Sequence, residues 1–288
     1  MRPLDAQPQK DCLWRSRRSL SIMTKASAVC RMNDEDREGT MTPLPKVFFL
    51  CGLLFVLFVP HHSWAQPTQT ETEQAAELLA TLLNAGRVVI ERNQPLINDP
   101  RKGDKEFTVE VFERLVLEEF RQQTHIDLKS PPSSLPASTR ALLIQLLRAS
   151  KEVVSDAQFV INQRGIGYKN FIPATFGSQA ARKFSARSKV TIKQTALDPR
   201  NLHNAPDAYE RKVLLQLSAQ SMAGPPIIEW VDGGAILRVV TPLYYSEDCL
   251  TCHGSPKGIL DISGYPREGA RAGELAGAIS IHIPLDHR

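Results

Sequence analysis

Three stretches in the first half of the chain carry apolar residues at intervals of three and four. This spacing puts them on one face of an amphipathic helix, so each stretch predicts one helix. Their apolar positions are Ala75, Leu78, Leu79, Leu82 and Val89; Val109, Phe112, Leu115, Val116 and Phe120; and Leu142, Leu143, Leu146, Leu147, Val153 and Val154. The first helix is predicted to start at a capping box of Thr70 and Glu73 and to end near Asn93. A short fourth helix is predicted after Pro173, reaching about Phe184.

The second half of the chain changes to a period of two residues, which is typical of strands. The segments with this alternation are 190–195, 227–231, 235–241 and 277–283. Gly233 and Gly234 separate the middle two segments and can supply the positive φ of a tight turn, which predicts a hairpin. Asn204 is predicted to cap one more helix, with Pro206 in its first turn and its end near Leu217. The pattern predicts an α+β fold of N-terminal helices packed on a small antiparallel sheet.

The N-terminal region has the layout of a secretory signal. Lys46 precedes an apolar run over residues 47–59, and Ser63 and Ala65 are small residues at the positions that a signal peptidase reads. The run is shorter than the roughly 20 residues that a membrane span needs, although an uncleaved anchor is an alternative. Cleavage after Ala65 would deliver the mature protein to the periplasm.

Domain organisation follows from the position of this signal. Because a signal peptide should begin a chain, Met41 is interpreted as the true start, and residues 1–40 as a mis-annotated, disordered extension. Residues 41–65 are then the signal peptide, and residues 66–288 form a single domain. No membrane span is expected in the mature chain.

Composition excludes some classes of partner. The net charge of +4 is too small to indicate nucleic-acid binding, and no basic run with interleaved aromatic residues occurs. Only two of the five cysteines, Cys249 and Cys252, follow the predicted cleavage point. A network of several disulfides is therefore excluded in the mature chain.

The two remaining cysteines and the next residue form the motif Cys249-Leu250-Thr251-Cys252-His253, which is C-x-x-C-H. This pattern is typical of covalent haem c attachment. The two thiols add to the two vinyl groups of one haem, and the adjacent imidazole coordinates the iron from below. The motif predicts one haem c per chain, with His253 as the proximal ligand.

Two other uses of the motif remain open. A structural zinc site commonly has a second pair of Cys or His ligands, and no second C-x-x-C is present. A thioredoxin-like redox pair lies at a strand-to-helix junction, whereas proline, tyrosine and glycine residues surround this motif and indicate a loop.

Several further segments resemble, in order, a family of periplasmic single-haem c-type domains of unknown function. The matching segments are 164–173, 199–201, 204–210, 240–245, 254–258, 264–269 and 273–280. The resemblance implies a PAS-like antiparallel sheet that, with the helices, encloses one haem c. It also implies a domain that either stands alone or forms the sensor end of a histidine kinase.

The resemblance does not supply the sixth iron ligand. In at least one member a cysteine of the first helix takes that position, and the mature chain has no spare cysteine. Met222 and His203 are the candidate distal ligands, and an open site is the alternative. The remaining histidines of the mature chain are His125, His282 and His287.

Basic residues near a buried haem can bind its propionates through charge-assisted hydrogen bonds. Arg164, Lys169 and Arg200 are the candidates, and a solvated basic loop is the alternative for each. Four tyrosines are candidates for lining the pocket, with core packing as the simpler interpretation: Tyr168, Tyr244, Tyr245 and Tyr265.

The leading functional prediction is a haem domain that senses redox state or a diatomic gas and acts through a signalling or redox partner protein. An electron-transfer cytochrome is the second hypothesis, because fast electron transfer favours two strong axial ligands. A haem peroxidase is the third. The sequence favours a non-enzymatic role.

Overall fold

The structure is a computed structural model that describes residues 68–220 and 223–285. The described part of the chain is α+β, with the helices mostly before the strands. The helices are α1 (Gln69–Arg92), α2 (Gln94–Ile97), α3 (Val109–Thr124), α4 (Ala137–Ile161), α5 (Pro173–Ser185), α6 (Ala208–Ser218) and α7 (Leu250–His253). The strands are β1 (Thr191–Thr195), β2 (Ile227–Val231), β3 (Ile236–Tyr244) and β4 (Leu275–Pro284). None of these helices is long and apolar enough to cross a membrane. The predicted extension, signal peptide and cleavage site lie outside the described residues.

The start of α1 differs from the prediction. The capping box consists of Thr68 and Glu71 rather than Thr70 and Glu73, because Thr68 has the extended backbone that an N-cap residue needs. Thr70 already lies inside the helix. The Glu73 carboxylate instead accepts a hydrogen bond of 2.6 Å from the indole N–H of Trp230 on β2.

The start of α6 also differs from the prediction. Asp207 caps this helix and forms a capping box with Glu210, whereas Asn204 ends a short 3₁₀ turn over Leu202–Asn204. Pro206 therefore precedes the helix instead of occupying its first turn. The alternatives are close in sequence, and Asp207 has the capping-box partner at the required three-residue spacing.

The four strands form one antiparallel sheet in the order β1-β4-β3-β2. The predicted hairpin is present: Ile227 pairs with Val240 and Val231 with Ile236. Gly233 and Gly234 have φ values of 68° and 92°, which glycine adopts without the strain that a Cβ would cause. The segment between β3 and β4, residues 245–274, contains the C-x-x-C-H motif.

Most of the core lies between the sheet and the N-terminal helices. The helix α1 packs against α3, α4 and α5 and against β3 and β4. Phe112 is fully buried, and its ring meets those of Phe107 and Phe176 edge-on at 6.3 and 5.3 Å. The helix α6 covers the opposite face of the sheet. There, Val213, Leu214 and Leu217 pack against Val240 and Ala278. The sheet is thus packed on both faces, and the segment 245–274 connects its two central strands.

Candidate functional site: the C-x-x-C-H turn and its carboxylate network

The C-x-x-C-H motif folds as a single helical turn. The backbone N–H groups of Cys252 and His253 both donate to the carbonyl oxygen of Cys249, at 3.1 and 3.0 Å. Side chains three residues apart lie on the same side of such a turn, so the two thiols are neighbours. Both cysteines are free and partly buried. Burial raises the pKa of the Cys252 thiol, and nearby Asp261 adds to the shift, which is the reverse of the lowered pKa of a redox-active thiol.

Gly254 lets the chain leave this turn. Its N–H donates to the Leu250 carbonyl oxygen at 2.8 Å, and a Cβ at this position would lie 2.6 Å from the same oxygen. Any larger residue would have to move the backbone that carries Cys252 and His253. The close approach explains why glycine follows the motif directly.

The chain after Gly254 folds back onto the motif. The backbone N–H of Asp261 donates to the carbonyl oxygen of Tyr265 at 2.8 Å, and the backbone N–H of Arg267 donates to the carbonyl oxygen of Ile259 at 2.9 Å. Ala270 then donates to the carbonyl oxygen of His253 at 2.8 Å. This return brings Glu268, fifteen positions after His253, beside the histidine ring.

The His253 ring is held from two sides. Its Nδ1 lies 2.8 Å from Glu268 Oε2, and the Tyr245 ring lies 5.1 Å away between centroids. Because Nδ1 is engaged, Nε2 is the ring nitrogen available to a metal. Sequence reasoning missed Glu268; its segment 264–269 was noted, but a contact made across a folded loop has no local signal.

Arg200 holds Glu268 in turn. Arg200 Nε donates to Oε1 at 2.7 Å and Nη2 donates to Oε2 at 2.9 Å, which is the two-pronged geometry of strong arginine–carboxylate pairs. The same Nη2 donates to the Cys252 carbonyl oxygen at 3.0 Å. Burial alone would raise the pKa of Glu268, but hydrogen bonds from Arg200 and His253 outweigh it and lower the pKa below the ordinary 4.5. Glu268 is therefore a carboxylate at neutral pH.

Asp261 anchors the other side of Arg200. Its side chain is fully buried, and Oδ2 accepts from Arg200 Nη1 at 2.6 Å. Its Oδ1 accepts from the N–H and Oγ of Ser263 and from the N–H of Tyr265. Burial favours the protonated acid, yet the hydrogen bonds from Ser263 and Arg200 prevail and lower the pKa of Asp261 well below the ordinary 3.8.

This lowered pKa predicts a pH-dependent stabilisation by Asp261. We expect Asp261→Asn to reduce the free energy of unfolding at neutral pH by about 1.5–3 kcal/mol, as for hydrogen bonds to charged groups. Because the folded-state pKa lies below the unfolded value, the contribution is present above about pH 4 and is lost as the pH falls through the folded-state pKa. Urea unfolding of both proteins at about pH 7 and at about pH 2, where the folded-state carboxylate begins to take up its proton, measures the difference. Asp127→Asn, at an exposed position, is the matched control; an Asp261→Asn effect equal at both pH values would contradict the prediction.

The three predicted propionate-binding residues occupy different surroundings. Arg164 is exposed, and Lys169 is buried with its ammonium group donating to the carbonyl oxygens of Gln163 and Ile166 at 2.7 and 2.9 Å. The ammonium group of Lys169 thus stabilises the loop that precedes it. Arg200 lies beside the motif, but its described hydrogen bonds go to protein carboxylates and to the carbonyl of Cys252.

The candidate distal ligands do not gather at the motif in the described structure. His203 is exposed within the 3₁₀ turn, His125 is exposed at the end of α3, and Met222 and His287 lie outside the described residues. His282 lies on the face of β4 opposite the buried isoleucines, where it is partly covered, and burial lowers its pKa. Its ring lies 3.4 Å from the Thr191 hydroxyl across the sheet.

Three of the four tyrosines surround the motif. The Tyr245 ring lies beside the His253 ring at a tilt of 40°, and burial, followed by the charge of Glu268, raises the pKa of Tyr245 to about 12. The Arg200 guanidinium lies 5.4 Å from the Tyr265 ring centroid, and burial raises the pKa of Tyr168, whose electrostatic neighbours include Cys252 and Asp261. Tyr244 instead accepts a hydrogen bond from the N–H of Gly224.

The C-terminal end of α1 reaches the motif from the other side. Ser246 donates to Glu91 Oε1 at 2.6 Å and lies 3.2 Å from Cys249 Sγ. Arg87, one turn earlier, interacts electrostatically with Glu91 and Cys249, although burial is the larger effect and lowers its pKa. Within the described residues its buried Nε has no hydrogen-bond partner, and the same is true of Arg267 Nε. Sequence reasoning missed both arginines.

Apolar side chains are exposed next to this network. Ile259, Leu260 and Ile262 are 53%, 64% and 66% exposed, although large aliphatic residues are usually buried. They lie in the segment that returns Glu268 to His253. Together with two thiols, one free imidazole nitrogen and two unpartnered guanidinium nitrogens, this surface fits a large apolar group that carries carboxylates. Among the described residues, no cluster of three or more His, Cys, Asp or Glu side chains is arranged to hold a metal ion by itself.

Comparison with known proteins finds a matching family and a similar solved structure. A family model described as Tll0287-like matches residues 21–284. The chain is also similar to a solved structure, that of the cyanobacterial heme-protein Tll0287, with 18% sequence identity and a TM-score of 0.36. That similarity covers 55% of this chain and 99% of the other. No curated protein matches the chain.

Proposed function

The chain belongs to the Tll0287-like family, and from its C-x-x-C-H motif and predicted signal sequence we propose that it is a periplasmic monohaem c-type protein. Cys249 and Cys252 form the two thioether bonds, and His253 is the proximal ligand. The observation that carries the proposal is the 2.8 Å contact between His253 Nδ1 and Glu268, because it leaves Nε2 free at a C-x-x-C-H turn.

The surroundings of the motif support a haem rather than a bare metal ion. The exposed aliphatic side chains of Ile259, Leu260 and Ile262 suit an apolar macrocycle. The unpartnered nitrogens of Arg87 and Arg267 suit its propionates, and Arg164 remains a further candidate. Bound haem would supply an iron that changes oxidation state or takes up a small ligand.

We assign the protein to sensing of redox state or a diatomic gas, with a PAS-like core that responds and a partner protein that relays the signal. An electron carrier favours two strong axial ligands. In the described structure, His125 and His203 are exposed to solvent and His282 lies beside the Thr191 hydroxyl across the sheet, and Met222 is the other candidate for the sixth position. This favours an iron with an open or weakly held sixth position.

Production of the protein in a host that matures cytochromes c tests both parts of the proposal. The expected product is a coloured periplasmic protein that begins at Gln66 and whose mass exceeds that of the polypeptide by one haem. Titration of the ferrous protein with carbon monoxide and nitric oxide is expected to form adducts rapidly. A low-spin spectrum that neither gas alters would instead indicate the electron carrier, and turnover of hydrogen peroxide with a reducing dye would indicate a peroxidase.

A further inference from the structure

We propose that Glu268 is a positioning residue that sets the reduction potential of the iron through its hydrogen bond to His253 and its pairing with Arg200. The inference rests on the proposed function, because it concerns the haem bound at the same motif. It assigns a role to two residues that lie outside the C-x-x-C-H motif and far from each other in sequence.

Three hydrogen bonds fix the orientation of the Glu268 carboxylate. Glu268 Oε2 accepts from both His253 Nδ1 and Arg200 Nη2, and Oε1 accepts from Arg200 Nε. Glu268 therefore cannot turn away from His253 without breaking three hydrogen bonds. Arg200 is itself fixed by Asp261 and by the Cys252 carbonyl oxygen. The carboxylate is thus held at a fixed position relative to the ring.

The hydrogen bond to Glu268 changes how strongly the His253 ring donates to iron. A carboxylate that accepts the Nδ1 proton draws it away from the ring and increases the negative charge on the imidazole, so Nε2 becomes a stronger donor to iron. A stronger donor favours the ferric state over the ferrous state and so lowers the reduction potential. The positive charge of Arg200 partly neutralises the Glu268 carboxylate and so limits the lowering of the potential. A neutral acceptor at the same place would bind the ring without transferring as much charge.

The test compares holoprotein variants by potentiometric titration with dithionite, which supplies the single electron that converts ferric to ferrous iron. Glu268→Gln keeps the size of the side chain and an oxygen acceptor but removes the charge. Its midpoint potential is expected to rise by at least the equivalent of a tenfold change in the redox equilibrium, which is 59 mV for one electron. Asp261→Asn is the matched control, because it removes an equal charge from the same guanidinium without removing the bond to His253.

The outcomes separate this inference from the proposed function. A larger positive shift in Glu268→Gln than in Asp261→Asn supports the inference, whereas equal shifts, or none, would overturn it even if every variant carries haem. If Glu268→Gln fails to yield holoprotein, Glu268→Asp replaces it; a smaller positive shift is expected, and an unchanged potential overturns the inference. Wild-type protein without covalent haem would overturn the proposed function instead.

Discussion

Replacement of Cys249 and Cys252 together by serine is expected to abolish covalent haem attachment. The two thiols are the attachment atoms, and they lie on one helical turn whose backbone hydrogen bonds end at the Cys249 carbonyl. Serine keeps the size of the side chains but cannot form a thioether. After extraction with acidified acetone, the variant should have the mass of the bare polypeptide, whereas the wild-type protein should retain its haem.

Single variants and a neighbouring serine provide the controls for this experiment. Cys249→Ser and Cys252→Ser each leave one thiol and should retain a fraction of the haem through one thioether. Ser246→Ala removes the hydroxyl that lies 3.2 Å from Cys249 Sγ and keeps both thiols, so it should load haem normally. A double variant that still carried acid-resistant haem would show that attachment lies elsewhere.

Replacement of Phe112 by alanine is expected to cause the largest loss of stability. This ring is fully buried and contacts Phe107 and Phe176 edge-on, so truncation leaves a cavity between α3 and α5. Removal of a buried phenylalanine costs about 3–5 kcal/mol, from lost burial and from the cavity. Urea unfolding should show a lower midpoint with an unchanged slope.

Phe159→Ala is the matched control for the packing prediction, because it is the same substitution at a position that is 80% exposed. Its free energy of unfolding should change by less than about 0.5 kcal/mol. Similar losses in both variants would mean that the aromatic cluster does not hold the helices together.

The sequence predicted the elements whose signal is local. The apolar stripes of α1, α3 and α4 and the alternation in β2, β3 and β4 follow from periodicity alone, since each element must bury one face. The glycine pair at residues 233–234 predicted its hairpin for the same local reason. The starts of two helices differ from the prediction, because Thr68 and Asp207, rather than Thr70 and Asn204, have the cap geometry and the capping-box partners.

The surroundings of the motif could not be predicted in this way. Arg200 and Glu268 are 68 positions apart, and their pairing depends on how two loops meet on the folded sheet. Lys169 is a comparable case, because only the folded loop reveals that its ammonium group is satisfied by nearby carbonyls. A charged residue in a loop sequence has no local feature that separates a ligand contact from a structural one.

Mass spectrometry of one tryptic peptide tests the central claim most directly. Cleavage after Arg238 and Lys257 releases residues 239–257, which contain the whole C-x-x-C-H motif and no internal cleavage site. From protein matured in the periplasm, we expect this peptide to carry one haem and its fragments to locate the added mass at Cys249 and Cys252. The same peptide recovered only in unmodified form from a host with active cytochrome c maturation would contradict it.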